Sequence, residues 1–475
     1  MQSKKDQVQA YFYVVGRLVA AVVHGKPDVL VQPNRRLNTG TMFGVIIGLI
    51  IAGICGVVGL FLPGGNNSWR MPGAIVMNED TGARYVFLNG ELRPVLNYSS
   101  ARLASGGNGA IHEVSQASLD GTPVGQPIGI PGAPDALPKA EDLSTGPWVV
   151  CAQPPQDGAE QPRPSTTLFI GRSIPANQPD DRALLVRAPD KTIYLVWHGK
   201  RYRLPSRTEV AALGYGQVEP VEVDTAWLNP IPQGPDIEAE RPPGLGTPGP
   251  EIDGNPSLVG QLYRMKNPAL DSEQLYLVLS DGVLPLTRTA AALYLAAPFT
   301  KEVYDAGAVA PIDVGPAAMN GVPTSGSGPE FVDGLPDRPP PLANPQPNET
   351  ACLEYTMIGG GRVKIRPGLL PVDVHRQAMP ASVHYAGKTA DRVAVPAGGG
   401  VLAVHQSTPE SVLNTIYLIT ETGVRYPLVT ADVAAALGYS AETAMRMPGE
   451  LLDLLPVGPA LSQQAALTVQ PQQTS

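Results

Sequence analysis

The sequence predicts an α+β protein: a cytosolic amphipathic helix, a single transmembrane helix, and an extracytoplasmic region combining a discontinuous β-rich core domain with four hairpin-plus-helix repeats. Three observations predict it. Residues 42–62, MFGVIIGLIIAGICGVVGLFL, carry no charge and no strongly polar group, and at 1.5 Å per residue they match the ~30 Å hydrocarbon core of a bilayer. The rest of the chain holds 51 prolines and 51 glycines, a usage that favours short elements with extended connectors over a compact, helix-rich enzyme. Within it, one strand-turn-strand pattern recurs.

The first element is an amphipathic helix. Val8, Tyr11, Phe12, Val15, Leu18, Val19 and Val22 fall at the spacing of one helix face, and Gly25, Lys26 and Pro27 end it. So short a helix builds no core alone, so its apolar face lies on the membrane surface or on a partner. The span follows. It is read as an uncleaved anchor because a long segment precedes it and no small-residue cleavage pattern occurs at Pro63, Gly64, Gly65 and Asn66. Gly44, Gly48, Ala52 and Gly56 line one of its faces at steps of four, the spacing that lets helix backbones approach in lipid. Lys4, Lys5, Arg17, Lys26, Arg35 and Arg36 precede the span and only Arg70 closely follows it. The positive-inside rule therefore puts the N-terminus in the cytoplasm and the bulk of the chain outside, in an oxidising compartment.

In the exported region, Tyr85 to Leu88, Tyr194 to Trp197, Tyr276 to Leu279 and Tyr417 to Ile419 each precede a glycine turn and a second short strand with proline, as in Tyr202, Arg203, Leu204, Pro205. An alanine-rich helix pattern follows each, and two end alike, as Ala211, Ala212, Leu213, Gly214, Tyr215 and Ala435, Ala436, Leu437, Gly438, Tyr439. The copies are unevenly spaced, and the gaps between first and second and between third and fourth supply two halves of another core. Each half holds one cysteine, Cys151 and Cys352. With Cys55 inside the span, these two form an even exported pair, which suggests one disulfide. The expected division is 1–41 cytoplasmic helix and linker, 42–62 span, 63–105 first repeat, 106–180 first core half, 181–235 second repeat, 236–256 linker, 257–300 third repeat, 301–400 second core half with a proline-rich linker, 401–460 fourth repeat, and 461–475 disordered tail.

Chemistry-bearing patterns are sparse. A formal net charge of −9 without a basic stripe argues against a nucleic-acid partner. Gly387, Lys388 and Thr389 form the one GKT, a weak ATP candidate. Ser382 stands where a phosphate loop needs its first glycine, and a strand pattern follows instead of a helix. Gly244, Gly246 and Gly249 match G-x-G-x-x-G, but flanking prolines make the stretch a linker. His24, His112, His198, His375, His384 and His405 show no metal-ligand spacing, and no serine-nucleophile elbow occurs. Glu79, Asp80, Asp180 and Asp181 read as turn residues. No catalytic or metal residue is assigned, and no cofactor beyond that weak ATP candidate.

The element order resembles the EccB family, a membrane component of the ESX or type VII secretion systems of actinobacteria. The resemblance rests on Gln7, Val8 and Tyr11 with their helix, the single span, Pro94 to Asn97 leading into Ser99, Ser100, Ala101, Arg102, Leu103, and GQPIGIPGAP at 125–134 followed by Trp148 and Cys151. It implies a single-pass protein that assembles with other ESX membrane components into a large hetero-oligomeric inner-membrane complex. It also implies an elongated exported region with a central core and repeats that look like a phage-lysin cell-wall-binding fold. Members are sometimes described as ATP-hydrolysing. The leading expectation is a non-catalytic structural subunit of that complex. The alternatives are an ATP hydrolase, and a peptidoglycan-binding module whose repeats hold glycan while the anchor holds the bilayer.

Overall fold

The computed structural model describes residues 4–25, 33–61, 67–107, 109–155, 163–176, 178, 181–304, 308–326, 335–358, 362–405 and 415–470. They fall into two compact units, one drawn from 1–70, 77–83 and 112–122 and one from 71–76, 84–111 and 123–475.

The first unit is dominated by two helices. Helix α1 runs Lys4–His24 and helix α2 runs Pro33–Phe61. Proline at the first turn of α2 costs no hydrogen bond, since that N–H would be unpaired anyway. The helix starts well before the apolar stretch, so part of what the sequence assigned to a linker is helical. Within α2, Asn38–Val57 is long and apolar enough to cross a membrane, and none of it is buried inside the molecule.

The β-structure comprises four four-stranded sheets and one six-stranded sheet. The four small sheets are built from Ile75–Asn78, Arg84–Leu88, Glu91–Pro94 and Ile111–Val114; Leu184–Arg187, Ile193–Trp197, Lys200–Leu204 and Val221–Glu222; Leu262–Asn267, Ser272–Leu279, Gly282–Leu286 and Ile312–Val314; and Gly400–His405, Ile416–Thr420, Arg425–Leu428 and Met445–Met447. Taking each sheet's strands in chain order, the spatial order is third, second, first, fourth in every one. A helix lies between third and fourth strand each time: Tyr98–Ala104, Arg207–Ala212, Arg288–Ala296 and Ala431–Leu437. The side chains of Asn97, Ser206, Thr287 and Thr430 cap them. Two fourth strands, Ile111–Val114 and Ile312–Val314, lie beyond the ends at 105 and 300 expected from the sequence, because a parallel return strand carries no turn signal of its own.

The six-stranded sheet joins distant chain. Trp148–Gln153 and Ser165–Ile170 pair with each other, Glu349–Met357 pairs with Val363–Pro371, and the two hairpins meet where Cys151 faces Cys352. A disulfide links these cysteines, which are 201 residues apart in sequence. Arg392–Ala394 extends the sheet parallel to 167–169. One face packs on Leu184, Val186 and Trp227 near the second small sheet and on Val401, Ala403 and Ile419 of the fourth. Fully burying each such side chain contributes about 1.5–3 kcal/mol. The first and fourth sheets share a further core, including Val86, Leu103, Leu418 and Leu437.

Three stretches depart from expectation. Residues 236–256 are packed irregular chain and not a free linker: Ile237 and Ile252 are buried, and Arg241 holds Glu302 through two hydrogen bonds of 2.7 and 2.6 Å. Proline-rich 336–347 is likewise docked, because proline lacks an N–H but keeps its carbonyl. Pro341 O accepts from Ala183 N at 2.9 Å and Pro340 O from the Tyr215 hydroxyl at 2.7 Å. Of the tail expected to be disordered, residues 461–470 are packed and 471–475 lie outside the described residues. Leu461 and Ala466 are fully buried, Ser462 caps the turn Gln463–Ala466, and Gln470 N donates to Pro127 O at 2.9 Å. Its polar composition hid two apolar anchors.

Candidate functional site

The GKT lies in a turn against the helical turn Thr225–Leu228. Gly387 takes φ +71°, a left-handed conformation suited to glycine. The amides of Lys388 and Thr389 both donate to Tyr385 O at 3.0 Å, and the Thr389 hydroxyl accepts from Tyr385 N at 2.8 Å. A phosphate cradle needs such amides free and at a helix start. Here they are spent within the turn, and strand Arg392–Ala394 follows. The segment does not fit a nucleotide phosphate.

Beside this turn, four charged or titratable groups meet. The Arg163 guanidinium lies 2.6 Å from Asp391 and 3.8 Å from Asp224, and 3.2 Å from His384 Nε2. Asp391 also accepts from Thr166 N at 2.8 Å. Burial pushes the Asp224 carboxyl above its ordinary value, and neighbouring Asp391 adds to this. The cluster ties the Thr225–Leu228 turn to the central sheet. Among the described residues no group of three His, Cys, Asp or Glu side chains is placed to hold a metal.

Lys388 itself points the search elsewhere, since it lines a cleft of about 1270 Å³. It is lined by residues 198–201 and 229–233, by Tyr355, Ile358 and 363–366, and by Asp181, Pro448, Glu450 and Asp453. Tyr355 is buried, and neither its hydroxyl nor Arg201 Nε has a hydrogen-bond partner among the described residues. Ile231, Val363 and Ile365 give the cleft its apolar surface.

Comparison with known proteins then decides the family. The profile described as "Type VII secretion system ESX-1, transport TM domain B" matches residues 1–472. The chain belongs to this family. Among relatives of the type VII family member, the "ESX-3 secretion system ATPase EccB3" of Mycolicibacterium smegmatis is 29% identical, across 98% of this chain and 90% of that protein. The "ESX-1 secretion system ATPase EccB1" of Mycobacterium tuberculosis is 26% identical, across 98% and 94%. Among solved structures, a chain of an intact ESX-5 inner membrane complex shares the fold at TM-score 0.68 and 23% identity, covering 100% of this chain and 97% of that one. A chain of the EccB3 dimer from the ESX-3 core complex matches at TM-score 0.67 and 27% identity, covering 83% and 100%. The chain is thus a type VII secretion transmembrane component with one candidate spanning helix.

Of the residues singled out from sequence, Cys151 and Cys352 are brought together and bonded. Gly44, Gly48 and Gly56 lie along α2 with no atom within 4 Å of where a Cβ would stand, and Ala52 between them is exposed. His198 sits exposed in its turn, stacked on Trp197 at 3.8 Å. Asp80 accepts from Gln116 N at 2.9 Å, at the start of the helical turn Gln116–Leu119, Asp181 lines the cleft, and Asp180 lies outside the described residues. Sequence reasoning missed Lys200, Arg201 and Tyr355 as neighbours of Lys388. They come from separate segments, and no short-range spacing marks them.

Proposed function

We propose that this type VII family member is a non-catalytic structural subunit of an ESX inner-membrane complex, with its N-terminus in the cytoplasm and the chain after α2 outside. The observation that carries the reading is the apolar helix α2, unburied within the molecule, in a chain matched almost end to end by a secretion-system membrane family. The excess of Lys and Arg before α2 supports the orientation. The common strand order of the four small sheets supports reading them as four copies of one unit around a core drawn from both halves of the chain. Helix α1, whose apolar residues are almost all exposed, then covers its stripe on the bilayer surface or a cytosolic partner.

Purification from native membranes in mild detergent should return this protein together with other secretion components, and its deletion should stop export. Recovery of a lone monomer with export intact would overturn the reading. The relatives' names supply a second reading, ATP hydrolysis. Bonding of the Lys388 and Thr389 amides to Tyr385 speaks against the GKT as its seat. Turnover by the purified protein that disappears in Lys388→Ala would restore it. Peptidoglycan is a further partner compatible with the structural role, tested by retention of the protein on purified cell wall.

A further inference from the structure

The cleft beside Lys388 has a chemistry that a purely structural role leaves unused. Lys200 and Lys388 stand at its rim, both exposed and without an ion-pair partner among the described residues. Arg201, Lys364 and Arg366 line it as well, so five basic side chains stand against three acidic ones, Asp181, Glu450 and Asp453. Of these acids, Asp453 is already held by Arg425 at 2.7 Å. In a chain of net charge −9, this local excess of basic side chains selects an anion.

Size and backbone geometry say what kind. At about 1270 Å³ the cleft exceeds the roughly 300–1,000 Å³ typical of small-molecule sites. Its lining includes the outer edge of Val363–Pro371, the last strand on that side of the central sheet. The register is unbroken from Glu349–Pro371 to Met357–Val363, and Leu369, two-residue steps along, turns its N–H and C=O outward to the Gln178 side chain. By that alternation Val363 also faces outward, and its main-chain groups have no partner among the described residues. Further along, the turn at Gly199 closes over Ile365, so the edge is open at the Val363 end.

We propose that this cleft docks an extended, acidic segment of a partner polypeptide, its carboxylates meeting Lys200 and Lys388 while its aliphatic side chains lie on Val363 and Ile365. An open strand edge gives main-chain pairing, and the flanking pockets give selection.

The test uses the full-length protein in nanodiscs and two fluorescein-labelled peptides, acetyl-(Val-Glu)4-amide and acetyl-(Val-Lys)4-amide, read by fluorescence anisotropy. The acidic peptide should bind and weaken as salt rises. The double variant Lys200→Glu, Lys388→Glu, both at exposed positions, should bind it at least about tenfold more weakly and take up the basic peptide instead. Unchanged thermal melting of the variant assigns the loss to the cleft. Equal binding of both peptides by the unmodified protein, no binding of the acidic one, or its displacement by ATP would each overturn the proposal.

Discussion

Asn97 shows how one side chain can join two stretches that look unrelated in sequence. Its carbonyl oxygen accepts from Ser100 N at 3.0 Å to start a helix, while its amide donates to Ile130 O at 2.8 Å. Ser100 completes the link by accepting from Ile130 N at 2.9 Å, and Ser99 donates to Pro134 O. Asn97→Ala should therefore cost about 2–3 kcal/mol, from a lost cap and a buried carbonyl left unpaired, measurable by denaturant unfolding. Asp224 makes the opposite case. Its carboxyl titrates above its ordinary value through burial, so its contribution is present at low pH and is lost as pH rises through its folded value. Asp224→Asn, which keeps a capping oxygen, should match or exceed the parent in stability at pH 7, with the advantage fading toward pH 4. An unchanged difference across that range would contradict it. At this scale the sequence was half legible. The N-x-S-S-A-R-L and GIPGAP stretches stand out as signatures in the sequence. The Asn97 cap is a local contact to Ser100, whereas the binding of the two stretches to each other depends on contacts 30 or more residues apart.

Among elements, the hairpins were the most legible part of the fold, because alternating apolar residues beside a glycine turn leave a local imprint. The strand Ile193–Trp197 and its partner Lys200–Leu204 fall where that pattern put them. Connectors were the least legible. Composition marks proline-rich chain as extended but does not say whether its carbonyls are used, and here two matched tyrosines use them. Tyr215 donates to Pro340 O and Tyr439 to Pro138 O, each at 2.7 Å. Burial holds both phenols above their ordinary value, so they remain donors throughout the neutral range. The cystine was readable from parity alone, while the register that makes it possible was not. Replacing Cys151 and Cys352 together by serine should lower stability by about 2–5 kcal/mol, seen as a shift of the unfolding midpoint that matches reduction of the parent.

For the whole molecule, the membrane helix and the family are the parts a linear reading reaches with least help, since twenty apolar residues need no tertiary information. What α2 touches in a complex is a separate matter. Its small-residue face at Gly44, Gly48, Ala52 and Gly56 meets nothing among the described residues. Gly48→Leu with Ala52→Leu should reduce the yield of assembled complex while leaving membrane insertion and the cystine intact; an undiminished yield would mark that face as lipid-facing.

The central sheet also sets a timetable. Its strands come from 148–170 and 349–394, so the early hairpin lacks its partner hairpin until roughly two hundred further residues have been made. The second and third small sheets, whose strands are close in sequence, can form in that interval. During it, the edge of Trp148–Gln153 and the thiol of Cys151 stay open to other chains. A pause in synthesis between 170 and 349 would prolong that exposure, and mixed disulfides through Cys151 are the species to look for.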